Sequence, residues 1–200
     1  MEFRLMDETD FNEVVGLMVK AFFPSTLYTW VAPDQEERHK ILTAMFRYRV
    51  RGWIEEGREV QLALEGGRVV GSATWLQPTT AVPQPRGSLE EVIAGLSPLV
   101  VERWSLFQPV IEAQEKAILQ PAWELAPIAV LPEMQGKKIG AALINQQLSL
   151  LDHAGLPCYL CTQDRNNLAI YERFGFRKEG ELLIAPGGPM SHTMKRDVHD

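Results

Sequence analysis

The chain has 200 residues, of which 46% are hydrophobic, and a formal net charge of -6 at pH 7. This size allows one substantial core and requires no second unit, so we expect a single domain over residues 1–200. The acidic balance argues against a general nucleic-acid binder, whose affinity depends on a basic surface. No apolar run approaches the roughly 20 residues of a membrane span, and the acidic start lacks the pattern of a signal peptide. We therefore expect a cytoplasmic protein that does not bind membranes.

The first part of the chain alternates between strand and helix periodicity. Caps, prolines and paired glycines mark the boundaries of these segments. The predicted elements are a strand over Glu2–Met6, a helix over Phe11–Phe22, a charged helix from Pro33-Asp34 to about Glu56, and a hairpin of Glu59–Glu65 with Arg68–Leu76.

Residues 78–121 form a long segment between strands, which is unlikely to lack secondary structure in a compact domain. We predict two helices there, at about Ser88–Leu96 and about Leu99–Leu119. These helices either form a wall of a substrate pocket or extend the core. The same two alternatives apply to the aromatic loop between the helix over Phe11–Phe22 and the charged helix that follows it. The expected pocket residues are Tyr28, Trp30, Trp75, Trp104 and Phe107.

The stretch from Trp123 to Leu151 combines a strand, a basic loop and a helix. Its apolar strand breaks at Leu131-Pro132, and an amphipathic helix follows the loop. The start of that helix offers unpaired backbone N–H groups, two cations and the positive end of the helix dipole, which together favour a pyrophosphate. The predicted phosphate-binding residues are Gln135, Gly136, Lys137, Lys138, Ile139 and Gly140.

The last part predicts an interior strand, a short helix and a final hairpin. Gly155-Leu156-Pro157 ends the preceding helix. The elements are a strand over Cys158–Thr162, a helix over Asn167–Phe174, and a hairpin of Phe176–Ile184 with Met190–Arg196.

Metal binding is not expected. Cys158 and Cys161 lie three apart on a predicted strand, so they point to opposite faces and read as buried thiols. The histidines show no metal-ligand spacing; they are His39, His153, His192 and His199.

Two of these segments resemble the GNAT superfamily of acetyl-CoA-dependent N-acetyltransferases. The first is Ala129-Val130-Leu131-Pro132 with the loop Gln135–Gly140, and the second runs from Asn167 to Phe176. The loop matches the family pattern Q/R-x-x-G-x-G/A except that Lys138 replaces the first glycine. We expect this position, at the start of a helix, to accommodate an ordinary residue.

The resemblance implies an α/β (α+β) fold with a mixed, mostly antiparallel central sheet, helices on both faces, and residues 78–121 as a helical insertion before the cofactor-binding strand. Within the superfamily the chain is similar to the puromycin N-acetyltransferases along nearly its whole length. The implied cofactor is acetyl-CoA. The residues implied to bind it are Ile128, Ala129, Val130, Gln135, Gly136, Lys137, Lys138, Ile139, Gly140, Ala141 and Asn167.

Two residues are the expected catalytic groups. Tyr171 fits the general acid that protonates the departing thiolate, because a tyrosine remains protonated at neutral pH. Glu124, eleven positions before Gln135, occupies the place at which several histone-type members carry a glutamate base. Simple alternation puts it on the same face as Ile128 and Val130. The alternative is a salt-bridged glutamate at a strand start.

The expected activity is direct transfer of an acetyl group to a primary amine of a small molecule, by a monomer or a homodimer. Two alternatives remain open at this point: a protein or peptide N-acetyltransferase, and a non-catalytic coenzyme A-binding regulatory module.

Overall fold

The computed structural model describes residues 1–78, 95–118 and 121–197. Its seven strands are β1 (Glu2–Leu5), β2 (Val60–Glu65), β3 (Arg68–Leu76), β4 (Trp123–Val130), β5 (Cys158–Thr162), β6 (Arg177–Leu183) and β7 (Met190–Arg196). They form one sheet in the order β1-β2-β3-β4-β5-β7-β6. Of the described pairs, only β4 with β5 is parallel. The mixed, mostly antiparallel sheet is thereby confirmed.

The helices of the described part are α1 (Phe11–Phe22), α2 (Thr26–Val31), α3 (Gln35–Glu55), α4 (Pro98–Ala117), α5 (Ile139–Ala154) and α6 (Leu168–Glu172). Asp34 caps α3 by accepting from the N–H of Glu37 at 2.9 Å, and Gly155 ends α5 with a left-handed backbone. Helix α4 corresponds to the second helix predicted in the insertion. The first, at about Ser88–Leu96, lies outside the described residues except for its last two positions, 95 and 96, which are not helical.

Helices cover both faces of the sheet. Helix α5 packs on β2, β3 and β4, and Gly71 on β3 allows the close approach, because a Cβ there would lie 2.9 Å from Ile139 Cγ2. Helix α1 packs against β3 and β4 from the other side with α3 behind it, and Glu13 of α1 accepts from the N–H of Val69 at 2.8 Å. Within the described residues, no helix is long and apolar enough to cross a membrane.

Helix α4, from the insertion, is joined to the sheet by a buried amide. Gln114 is 2% exposed. Its Nε2 donates to Thr193 Oγ1 at 2.8 Å and to the Ser191 carbonyl at 3.1 Å, and its Oε1 accepts from Ser191 Oγ at 2.7 Å. With both ends of the amide satisfied, the side chain fixes the position of α4 over β7.

Candidate active site

Strands β4 and β5 pair only at their first residues and then separate. The parallel ladder joins Trp123 to Cys158 and Glu124 to Tyr159. Beyond Glu124, the edge of β4 that faces β5 has no strand partner in the described chain, while its other edge pairs with β3 as far as Val130. Unpaired backbone N–H and C=O groups can accept an extended ligand as an added strand.

The predicted arm-binding residues lie on this open edge. They are Ile128, Ala129 and Val130. The Val130 carbonyl already accepts from Gln135 Nε2 at 3.2 Å, so Gln135 ties the loop that follows to the end of the strand.

The loop before α5 presents a run of unpaired donors. The backbone N–H groups from Gly136 to Ala141 have no hydrogen-bond partner in the described part of the chain, and no side chain caps the helix. Gly136 and Lys138 have positive φ angles of 77° and 63°. This turn exposes consecutive N–H groups at the positive end of a helix, the arrangement that holds phosphates in proteins.

The backbone of Lys138 differs from our expectation. It is the helix N-cap with φ 63° and ψ 13°, a left-handed conformation, and among the described non-glycine residues it alone has a positive φ. An L-residue with a Cβ pays roughly 1–2 kcal/mol for this conformation, whereas glycine does not. The position therefore favours glycine, and the structure accommodates Lys138 there at this conformational cost.

The face on which Glu124 lies also corrects the sequence-based expectation. Ile128 pairs with Ala73, but Glu124 pairs with Leu76, so the ladder shifts between them. Because Ala73 and Leu76 point to opposite faces of β3, their partners also do. Glu124 therefore faces away from Ile128 and Val130, and simple alternation failed because β4 contains a bulge at Ala126-Pro127.

The Glu124 carboxyl group is half-buried and hydrogen-bonded. The Tyr159 hydroxyl donates to its Oε2 at 3.1 Å. Burial, followed by the nearby charge of Glu115, raises the pKa of Glu124 to about 6, although the Tyr159 hydrogen bond opposes this. A carboxyl group with such a pKa is largely ionised at neutral pH, yet basic enough to accept a proton.

Tyr171 is buried in a hydrophobic setting. Its ring meets Phe176 edge-on with centroids 6.0 Å apart, and burial raises its pKa to about 12. In the described chain its hydroxyl makes no hydrogen bond, so none joins it to Glu124. Asn167, just before α6, donates from Nδ2 to Thr162 Oγ1 at 3.2 Å.

Three of the predicted pocket aromatics pack together. Trp104 lies between Tyr28, with centroids 6.4 Å apart, and Phe107, at 6.0 Å. All three residues are less than 10% exposed, and the Tyr28 hydroxyl donates to Met45 Sδ at 3.0 Å. They join α2 and α4 to α3, and any role in a substrate pocket stays a prediction.

The other two aromatics lie elsewhere. Trp30 sits under the guanidinium of Arg103 and against Gly188, where a Cβ would approach its indole to 3.0 Å. Trp75 is on the α5 face of β3 and lines a cleft of about 440 Å³ with Gln61 and Gln147 among others. Glu124 points to the opposite face of the sheet, so this cleft and Glu124 are separated by the sheet itself.

Two neighbours of Glu124 were not found by sequence reasoning, namely Tyr159 on β5 and Glu115 on α4. Tyr159 could be found only from the register of a two-residue parallel ladder, which the sequence does not specify. Glu115 is one of several charged and polar residues near the end of α4, and nothing in the pattern connects it to β4.

A family model described as an acetyltransferase (GNAT) domain matches residues 107–178. That segment contains Glu115, the strands β4 and β5, the loop before α5, and Tyr171. Over residues 107–178 the chain is therefore similar to a GNAT acetyltransferase domain, as the motifs in the sequence indicated. An uncharacterized N-acetyltransferase of Schizosaccharomyces pombe is 27% identical over 195 residues, covering 92% of this chain and 77% of that protein. The protein is thus an acyltransferase.

Solved structures of GNAT acetyltransferases share the fold of the chain. A histone acetyltransferase HPA2 and related acetyltransferase from Corynebacterium glutamicum matches with a TM-score of 0.69 and 21% identity, covering 99% of this chain and 97% of that one. A GNAT family acetyltransferase from Brucella melitensis in complex with acetyl-CoA matches with a TM-score of 0.51 and 20% identity, covering 100% of this chain and 88% of that one. The PaiA N-acetyltransferase of Thermoplasma acidophilum, in complex with coenzyme A, matches with a TM-score of 0.58 and 13% identity, covering 98% of each chain.

Proposed function

We propose that this GNAT protein transfers the acetyl group of acetyl-CoA directly to a primary amine of a small molecule. The observation that carries the proposal is a pair of neighbouring stretches of unpaired backbone groups, one on the open edge of β4 and one at the N-terminus of α5. A pantetheine arm matches the first part and a pyrophosphate matches the second. The proposal includes a cytoplasmic location, in keeping with Cys158 and Cys161 as free thiols.

The chain's own groups suit this cofactor in chemistry as well as in shape. Ile128 to Val130 would hold the arm through their backbone, and Gly136 to Ala141 would hold the pyrophosphate through their N–H groups. The ammonium groups of Lys137 and Lys138 add positive charge beside those donors. When bound, acetyl-CoA supplies the activated acyl thioester.

Glu124 is the general base of the proposal. An amine arrives mainly as an ammonium ion, and it becomes a nucleophile only after it has lost a proton. The ionised Glu124 carboxylate accepts that proton, directly or through a water molecule. Its raised pKa makes it a stronger base than an exposed glutamate while leaving it largely ionised at pH 7.

Tyr171 is the general acid of the proposal. Burial keeps its hydroxyl protonated at every physiological pH, and the hydroxyl is free of competing hydrogen bonds in the described chain. It donates its proton to the leaving sulfur. The ammonium ion loses two protons on becoming an amide: Glu124 takes the first and passes it to solvent, and the second restores the Tyr171 hydroxyl through solvent. Each transfer therefore releases one proton overall.

A small acceptor is favoured by the position of α4. The Gln114 network holds this helix over β7, and Cys161 on β5 lies 3.9 Å from Thr193 in the same network. Together these contacts cover part of the surface on which an extended peptide would lie. The protein-directed alternative draws on the Corynebacterium neighbour, which is named a histone acetyltransferase.

The test is thiol release from acetyl-CoA with a panel that contains small amines, puromycin included, and lysine peptides. We expect turnover with small amines and much slower turnover with peptides. The reverse order would support the protein-directed alternative. If acetyl-CoA raises the melting temperature but no amine in the panel releases thiol, the proposed activity is contradicted.

A further inference from the structure

Tyr159 and Glu124 form a fixed pair at the point where β4 and β5 separate. They are direct partners in the parallel ladder, and the Tyr159 hydroxyl donates to Glu124 Oε2 at 3.1 Å. Tyr159 is only 9% exposed, so packing restricts its ring. A phenol in this position donates to an ionised carboxylate and holds its orientation.

Glu115 approaches Glu124 from the insertion. Its neighbour Gln114 is anchored to Thr193 at 2.8 Å, and Thr193 lies 3.9 Å from Cys161, which shares a strand face with Tyr159. Glu115 is the next residue of α4, and its charge is the second cause, after burial, that raises the pKa of Glu124. In the described chain Glu115 makes no ion pair, so its negative charge is not neutralised by a salt bridge.

We propose that Tyr159 and Glu115 are positioning residues that act on Glu124 in opposite senses, the hydroxyl favouring the ionised carboxylate and Glu115 favouring its protonated form. The role of Glu124 as base rests on the function proposed above, whereas the effect of both neighbours on its carboxyl group does not.

The charged and titratable groups around Glu124 come from several elements. They are Glu115 on α4, Tyr159 and Cys161 on β5, Arg49 on α3, and Arg58 just after α3. Burial raises the pKa of Glu124 and Glu115 raises it further, while the Tyr159 hydrogen bond and the two arginines lower it. The pKa of Tyr159 is itself raised, by burial and then by Glu124, so its hydroxyl stays a donor.

This arrangement links the strength of the base to the insertion. Without Tyr159 the carboxylate would lose its donor and hold a proton at higher pH. Without Glu115 it would ionise at lower pH and become a weaker base. The two neighbours thus keep the carboxyl group ionised at neutral pH without removing its basicity.

The test compares Tyr159→Phe, Glu115→Gln and a control, Glu102→Gln. The control removes the same charge from the same helix about 20 Å away along its axis, well beyond the screening length of physiological salt. The titration of the Glu124 carboxyl carbon is followed by NMR in the unliganded protein, with Glu124→Gln used to assign its signal. The pH dependence of kcat/KM is measured in parallel.

We expect the Glu124 midpoint to move up by roughly one pH unit in Tyr159→Phe and down by roughly half a unit in Glu115→Gln, with no change in Glu102→Gln. The acidic limb of kcat/KM should move in the same directions. Because position 115 is exposed, Glu115→Gln is expected to fold even if the buried Tyr159 substitution does not.

Shifts of the same sign in both variants, or shifts no larger than that of Glu102→Gln, would overturn the inference. If the NMR midpoints move as expected but the kcat/KM limb stays in place, the positioning effect holds and the assignment of Glu124 as base fails. The two outcomes therefore separate this inference from the proposed function.

Discussion

Glu124 and Ile128 lie on opposite faces of β4, although they are four positions apart in an extended strand. The cause is the bulge in which Ala126 and Pro127 occupy the place opposite Thr74. As a result, the proposed base points toward α4 and Tyr159, while Ile128 faces α5. In the proposed function, this one strand offers its open edge to the cofactor and a carboxyl group to the acceptor.

Glu124→Gln should lower kcat/KM by about 10²- to 10⁴-fold, the usual range for loss of a general base. The folded pKa is raised to about 6, so the carboxylate fraction, and with it kcat/KM, should rise in the native protein as pH increases through about 6. This limb should disappear in the variant. Glu179→Gln, the same change at an exposed position of β6, should keep the native profile. A Glu124→Gln enzyme with native activity would exclude the base assignment.

Tyr171→Phe should reduce kcat by at least about tenfold and leave acetyl-CoA affinity nearly unchanged, because the lost hydroxyl makes no bond in the described chain and acts only on the leaving group. The measurements are steady-state kinetics and calorimetric titration with coenzyme A. Tyr48→Phe, the same change on α3, serves as the control. A native kcat in Tyr171→Phe would remove the acid assignment.

Substitutions at Lys138 should separate backbone strain from charge. Lys138→Gly removes both the left-handed strain and the ammonium group, whereas Lys138→Ala removes only the charge. We expect the glycine variant to be more stable than the alanine variant by about 1 kcal/mol in denaturant unfolding. Both should bind coenzyme A more weakly than the native protein at low salt, and this difference should shrink at high salt. Equal stability of the two variants would contradict the strain argument.

Much of the fold follows from local patterns. Strands β3, β5 and β7 begin and end at the predicted residues because glycines, prolines and alternation bound them. Helix α2 was missed because its six residues offer little beyond the Ser25 cap. The bulge in β4 and the approach of Glu115 to Glu124 depend on pairing between distant segments. No local pattern contains that information, so the sequence could name candidate site residues but not their geometry.

Gly71→Ala should disturb the proposed cofactor site by pushing α5 away from β3. The added methyl group would lie 2.9 Å from Ile139 Cγ2 and 3.3 Å from Leu143 Cδ1, so the first turn of α5 has to move away from β3. Overpacking of this kind costs about 1–3 kcal/mol, and the same movement shifts the unpaired N–H groups that precede Ala142. We expect a lower melting temperature and weaker coenzyme A binding together.

Gly16→Ala in α1 is the matched control. No atom outside its own helix backbone lies within 4 Å of the added Cβ, and alanine favours a helix. This variant should therefore be slightly more stable than the native protein and bind coenzyme A with native affinity. Native coenzyme A affinity in a destabilised Gly71→Ala protein would show that the loop before α5 does not depend on how the helix packs.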